Sequence, residues 1–308
     1  MEIKDMNQEE KEQKIKEVLE AFRKFDGKYK KEEVDAAIEL RKEITPYLIK
    51  ILENLLDDPH QYQEDSTLFD HIYAVMLLGH FKEPKAHKAM VDIFSLPQDL
   101  PGNLFGDIVT ENLPSLLVNT CDGSVELIRS LILNKKAYEF CRGSACEALA
   151  YAVIEGYLSR EEALTFFASL FTGTEAEKGS DFWGLLANTA CDLYPAEIMD
   201  TIRRGYNDEI IDAMSINLSD FEHDLKLGKD KCLEKLKKEV ESRSLDDVHG
   251  SMSWWSCFRE KTEPSSPPYN AQPEEKALTQ AKKSQKKTTQ SKKKKKHAKD
   301  SKKKNRRK

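Results

Sequence analysis

Apolar residues in the first 250 positions recur three and four apart rather than in alternation, a pattern that predicts helices and no strands. Ile15, Val18, Leu19 and Phe22 mark the first helix, over 8–25, with Asp26-Gly27 as its stop. A second is predicted over 31–43 on Val34, Ala37 and Ile38. Thr45-Pro46 reads as the N-cap and first position of a third, which carries Leu48, Ile51, Leu52 and Leu55 and ends at Asp57-Asp58-Pro59. Residues 60–66 read as a loop.

From Thr67 the predicted helices come in pairs. Helix 67–81 breaks at Gly79, and Pro84 opens its partner, which carries Ala86, Met90, Ile93 and Phe94. Residues 95–103 form a connector with two prolines. The next pair is 104–120, kinked at Pro114, and 124–134, capped by Ser124. A third pair covers 139–156 and 160–171, where Ser159 and Glu162 form a capping box. After a glycine-bearing loop over 172–181 come helix 182–193 and a helix over 196–206 opened by Pro195.

Corresponding points of these pairs, Leu78, Val118, Ala152 and Cys191, lie 40, 34 and 39 residues apart. A period near 40 with two helices per unit predicts an all-α, HEAT-like α-solenoid of stacked helical hairpins. One hairpin cannot bury its apolar face alone, so neighbours must stack. The expected organisation is a helical-repeat domain over 1–262. Within it, 1–58 are capping helices, 67–206 the repeats, and 219–258 a cap closing the far end. The charged helix of this last part carries Phe221, Leu225, Cys232, Leu233, Leu236 and Val240. Trp254, Trp255 and Phe258 are expected to fold back onto the body. Residues 263–308 read as a disordered Pro/Ser linker and Lys-rich tail.

Charge changes the picture more than composition does. Residues 276–308 hold 17 Lys/Arg against one acid, Asp300, a net +16, while 1–275 hold 32 bases against 53 acids, a net −21. A flexible basic segment seeks polyanions, and Lys292, Lys293, Lys294, Lys295, Lys296, Lys302, Lys303, Lys304, Arg306 and Arg307 are the candidate contacts. RNA, ribosomes, DNA and an anionic membrane are the candidate partners of this tail. No aromatic residue is interleaved from 276 on, so stacking on bases is not indicated. The same run also looks like a nuclear-import signal.

Six cysteines, none in a CxxC pair, suit free thiols in a reducing compartment. The charged N-terminus shows no signal peptide, and no apolar run reaches the length of a membrane span. A cytoplasmic location is the expectation.

Few residues point to chemistry. Asp107 and Glu111 are one helical turn apart, and Glu147 is placed to approach from the next helix. Trp183 in DFWGLL is the aromatic that would join such an acidic cluster, against the simpler reading that it packs in the core. The segment GTEAEKGS lacks the order a phosphate loop needs. His71, His80 and His87 lack the spacing of metal ligands, so they are expected to bridge helices or sit at the surface, and no metal or cofactor is expected.

FDHIYAVMLLGHFKEPKAHKAMVDIFSLP, FGDIVTENLPSLLVNTCDGSVELIRSLILN, CRGSACEALAYAVIEGYLSREEALTFF, GSDFWGLLANTACDLYPAEIMDTIRRGY and SMSWWSCF carry a resemblance. Over about Ile44–Phe258 the chain resembles an uncharacterised bacterial domain family of unknown function. The resemblance implies a HEAT-like helical fold and leaves the activity open. Members often end in a SEC-C zinc tail, but no cysteine follows Cys257 here, so zinc binding is not carried over. The leading expectation is a non-catalytic scaffold that holds a protein or peptide in a concave groove. The competing ones are a hydrolase or lyase using the acidic cluster, and a secreted effector carrying the import-like tail.

Overall fold

The periodic apolar positions do become helices, and the helices pack in the order of their spacing. The computed structural model describes residues 3–259, which belong to one unit, Met1–Arg259. The linker and tail lie outside the described residues. Among the described residues there are seventeen α-helices, a few single 3₁₀ turns and no strand. Helices α1 (Gln8–Arg23), α2 (Lys31–Glu39), α3 (Arg41–Asp57) and α4 (Pro59–Glu64) come first. Then follow α5 (Asp70–His80), α6 (His87–Phe94), α7 (Leu100–Phe105), α8 (Ile108–Glu111), α9 (Leu113–Thr120) and α10 (Glu126–Leu133). The chain continues through α11 (Glu139–Ile154), α12 (Arg160–Leu170), α13 (Phe182–Asp192) and α14 (Met199–Asn207). It closes with α15 (Leu218–Leu227), α16 (Lys229–Ser242) and α17 (Val248–Met252).

An inner row runs α3, α5, α9, α11, α13, each helix packed on the next. Leu78, Val118, Ala152 and Cys191, the four register points, fall on four successive members and are all buried. Alongside, α6 packs on α3, α9 and α10, while α10 and α12 pack on α11. This succession is compatible with stacked hairpins. Because inner helices have neighbours on several sides, α5 and α11 are buried almost all round rather than along one stripe. Gly143 allows the close approach of α11 and α13: a Cβ there would lie 2.9 Å from the Cβ of Leu185.

Local chemistry moved several boundaries. Helix α3 starts at Arg41, not at Pro46. Pro46 therefore lies inside the helix, where it has no N–H to give to the Lys42 carbonyl, and Thr45 Oγ1 donates to the adjacent Arg41 carbonyl at 2.6 Å. The expected loop 60–66 contains α4, with Asp58 as N-cap accepting from Gln61 and Pro59 in the first turn. Gly79 does not break α5; it gives room to Leu116 and Leu245 instead. The expected helix 104–120 is three pieces, separated at Gly106, whose φ is +53°, and at Asn112. Ser124 is not a cap, whereas the Ser159–Glu162 capping box is present. Gly228, at φ +93°, divides the predicted C-terminal helix into α15 and α16, and Asn217 caps α15 with a box of its own.

The end of the described chain departs most from expectation. Residues 218–259 do not simply close the far end. They form an arm that runs back from α13 to the N-terminal helices. Helix α16 packs on α11 and α13, and α17 on α5. Ser115 Oγ donates to the Arg243 carbonyl at 2.9 Å, and His80 Nδ1 lies 2.8 Å from the Leu245 carbonyl. His249 bridges Tyr29 and Asp35, at 2.9 Å each. Phe258 then enters a box of aromatic rings, 5.3 Å from Tyr29, 5.9 Å from Phe69 and 6.0 Å from Phe25. Trp255 stacks on Phe258, as the fold-back reading expects, but Trp254 is 60% exposed.

Candidate functional site

The return of the arm leaves an open cavity between it and the broken helix 100–112. Its volume is about 1140 Å³. The floor is apolar, formed by Phe69, Ile72, Leu104, Phe105 and Ile108. The opposite wall is the arm from Glu241 to Arg259, including the exposed Trp254. Gly106 shapes the near wall: its positive φ ends α7 and lets Asp107 lead directly into α8. Asp107 and Glu111 therefore stand on this wall, one turn apart as their spacing predicts.

Glu147 is brought near but does not line the cavity. It lies on α11 behind Arg243, 3.6 Å from that guanidinium, and one of its oxygens is buried without a hydrogen bond. Burial pushes its carboxyl up to about 7, and Arg243 only partly opposes this. Asp192, on α13, is pushed up to about 6 by burial, against Lys235 at 3.7 Å. Arg243 also lies 3.6 Å from Glu239 and donates to the Thr110 carbonyl at 3.2 Å. These half-buried acids and the arm's cations meet where α16 packs on the inner row.

Glu147 ionises near 4.5 when unfolded and near 7 when folded. Its contribution to stability is thus fully present below pH 4.5 and is lost as pH rises towards 7. Glu147→Gln should gain about 1–2 kcal/mol relative to the parent between pH 4.5 and 7.5, allowing for solvent near this side chain. Melting curves across that range should show the gain as about 3–6 °C. A difference independent of pH would refute it.

The family is decided by comparison with known sequences. The family model described as "Protein of unknown function (DUF1186)" matches residues 13–259. This chain belongs to the DUF1186 family. The match begins within α1 and ends where the described residues end, so the arm is part of the family's domain. An uncharacterized protein of Chlamydia trachomatis is 33% identical over 246 residues, covering 78% of this chain and 95% of that protein. One from Chlamydia muridarum is 31% identical over 244 residues, covering 78% and 96%. No solved structure matches.

The other candidate residues of this DUF1186 chain fall elsewhere. Trp183 is 2% exposed on α13, packed against Phe182 and Phe171, with Nε1 donating to the Glu177 carbonyl at 3.0 Å. It does not join the acids of the cavity. His71, His80 and His87 bridge helices through Leu104, Leu245 and Thr120. Burial holds His71 and His87 down to about 4. Five cysteines are buried and free, and Cys257 is exposed. Among the described residues, no three His, Cys, Asp or Glu side chains are grouped as metal ligands, and no helix is long and apolar enough to cross a membrane. The tail candidates over 292–307 lie outside the described residues.

Sequence reasoning missed Trp254 as a lining residue, together with Arg243, Asp246 and Asp247. It also missed the relay Asp35–His249–Tyr29. That relay resembles catalytic hydrogen-bond chains, but Tyr29 faces Tyr73 and Phe258 and does not line the cavity. Its work is to latch the arm.

Proposed function

We propose that this chain is a non-catalytic helical-repeat scaffold that holds a protein or peptide segment in the cavity between α7–α8 and the arm. The observation that carries the reading is the cavity itself, apolar on its floor and flanked by an exposed tryptophan. Its volume of about 1140 Å³ exceeds the roughly 300–1,000 Å³ usual for small-molecule sites. Exposed aromatics beside an apolar floor are typical anchors for a partner chain. The acids that an enzyme reading needs are divided: Asp107 and Glu111 stand at the cavity, Glu147 is held behind Arg243, and Trp183 is in the core.

Affinity purification from the native host, run in parallel with wild type and Trp254→Ala, tests this. A partner recovered with wild type should fall at least about fivefold with the variant, the loss of one interface anchor. The same proteins recovered equally by both would refute the cavity as the site. As a second part of the proposal, the basic tail adds salt-sensitive contact with a polyanion such as RNA. The net +16 of residues 276–308 supports it.

A further inference from the structure

The geometry points to a cationic occupant: we propose that the cavity binds a partner segment in which lysine or arginine alternates with large apolar side chains. This deepens the peptide-docking reading and rests on it. Five acids line the cavity, Asp107, Glu111, Glu241, Asp246 and Asp247, against two bases, Arg243 and Arg259. Asp246 is engaged by Lys82 at 3.2 Å. The other four acids are exposed and make no ion pair among the described residues; Asp247 accepts from the Gly250 N–H at 2.9 Å as the cap of α17, and Glu111 lies within charge range of Arg243. Arg243 is turned to Glu147 and Glu239, and Arg259 Nε donates to the Trp254 carbonyl at 3.2 Å.

The uncompensated charge facing the cavity is therefore negative. It stands around an apolar floor and a tryptophan face. A cation over an indole ring gains electrostatic attraction that a neutral side chain does not. The floor of Phe69, Ile72, Leu104 and Phe105 would remain wet under a small polyamine, whereas apolar side chains of a peptide would cover it. Nucleic acid and phosphorylated segments are repelled by the same acids. Like charges without a countercharge, as at Asp107 and Glu241, cost stability, and a cationic segment relieves that cost on binding.

The test uses the full chain and three labelled nine-residue peptides that share two leucines. Their three variable positions are all lysine, all glutamine or all glutamate, and binding is read by fluorescence anisotropy. The lysine peptide should bind at least tenfold more tightly than the glutamine peptide, and any binding of the glutamate peptide, drawn to the basic tail, should be unaffected by Trp254→Ala. Trp254→Ala leaves the charge unchanged and should weaken the lysine peptide about three- to tenfold. Asp107→Asn with Glu111→Gln should weaken it by a similar factor. Equal or tighter binding of the glutamine peptide overturns the cationic preference but keeps peptide docking. Binding of none of the three overturns the docking reading itself. An unchanged affinity in Trp254→Ala, or displacement by spermidine as effective as by unlabelled lysine peptide, shows charge attraction elsewhere on the acidic body and overturns the proposal.

Discussion

Trp183→Ala should lower the stability of the protein by about 3–5 kcal/mol and leave peptide binding by the folded fraction unchanged. For a domain of this size that is a fall in melting temperature of roughly 10 °C. Trp183 is fully enclosed on α13 between Phe182, Phe171 and the loop that carries Glu177. Truncation removes an entire indole and opens a void that helices on several sides cannot close. It also removes the donor to the Glu177 carbonyl. Trp183→Phe should restore only part of the loss, because one ring stays in the enclosed site while the volume of the second ring is left empty and the hydrogen bond is lost. Thermal denaturation by circular dichroism measures both variants. A normal melting temperature combined with lost binding would return Trp183 to the functional site and refute the placement.

Trp183 and Trp254 show what the sequence could and could not convey. Both are tryptophans beside small residues in segments expected to pack. Trp183 lies on a helix whose apolar residues are so dense that burial follows from them. Trp254 lies in a short irregular segment, where a neighbouring tryptophan faces inward and it does not. Helix existence was legible wherever three- and four-residue spacing continued for several turns, as in α1, α3, α12 and α16. The capping box at Ser159 was legible because both partners lie within four residues. Boundaries at Arg41, Pro59 and Gly106 were misplaced because one turn of helix carries too little pattern. The arm was illegible for another reason. His80 meets Leu245 across 165 positions, and Asp35 meets His249 across 214. No periodicity encodes such pairings, so a cavity walled by residues near 107 and near 254 cannot be read from either stretch.

The same distinction explains the partial success with the acids. Asp107 and Glu111 were placed together because helical spacing alone puts them on one face. The reach of Glu147 towards them depended on what stood between. Arg243, from the returning arm, occupies that position and takes Glu147 as its own partner. An arrangement that looks like a catalytic carboxylate group in sequence is thus divided by a cation arriving from about a hundred residues away in the chain. The charge that remains facing the cavity belongs to exposed acids, which suits recognition of a cation better than proton transfer.

Removal of the tail should abolish retention on RNA. The full chain is expected to be held by immobilised RNA at 50 mM salt, and a chain ending at residue 262 to pass through. If 6–10 phosphates are neutralised, affinity should fall roughly 10³–10⁵-fold between 50 and 200 mM salt. The tail has 17 Lys/Arg over 276–308, enough for that number of contacts, while residues 1–275 carry a net −21 and repel phosphate. With no aromatic residue from 276 on, the attraction should not depend on base sequence, so heparin should compete as well as a second RNA. Equal retention of both chains would refute tail binding. Trp254→Ala in the full chain should leave RNA retention intact while weakening the cationic peptide, because an uncharged indole contributes nothing to phosphate attraction. Loss of both together would mean that one surface serves both ligands, against the opposite signs of charge that residues 1–275 and 276–308 carry.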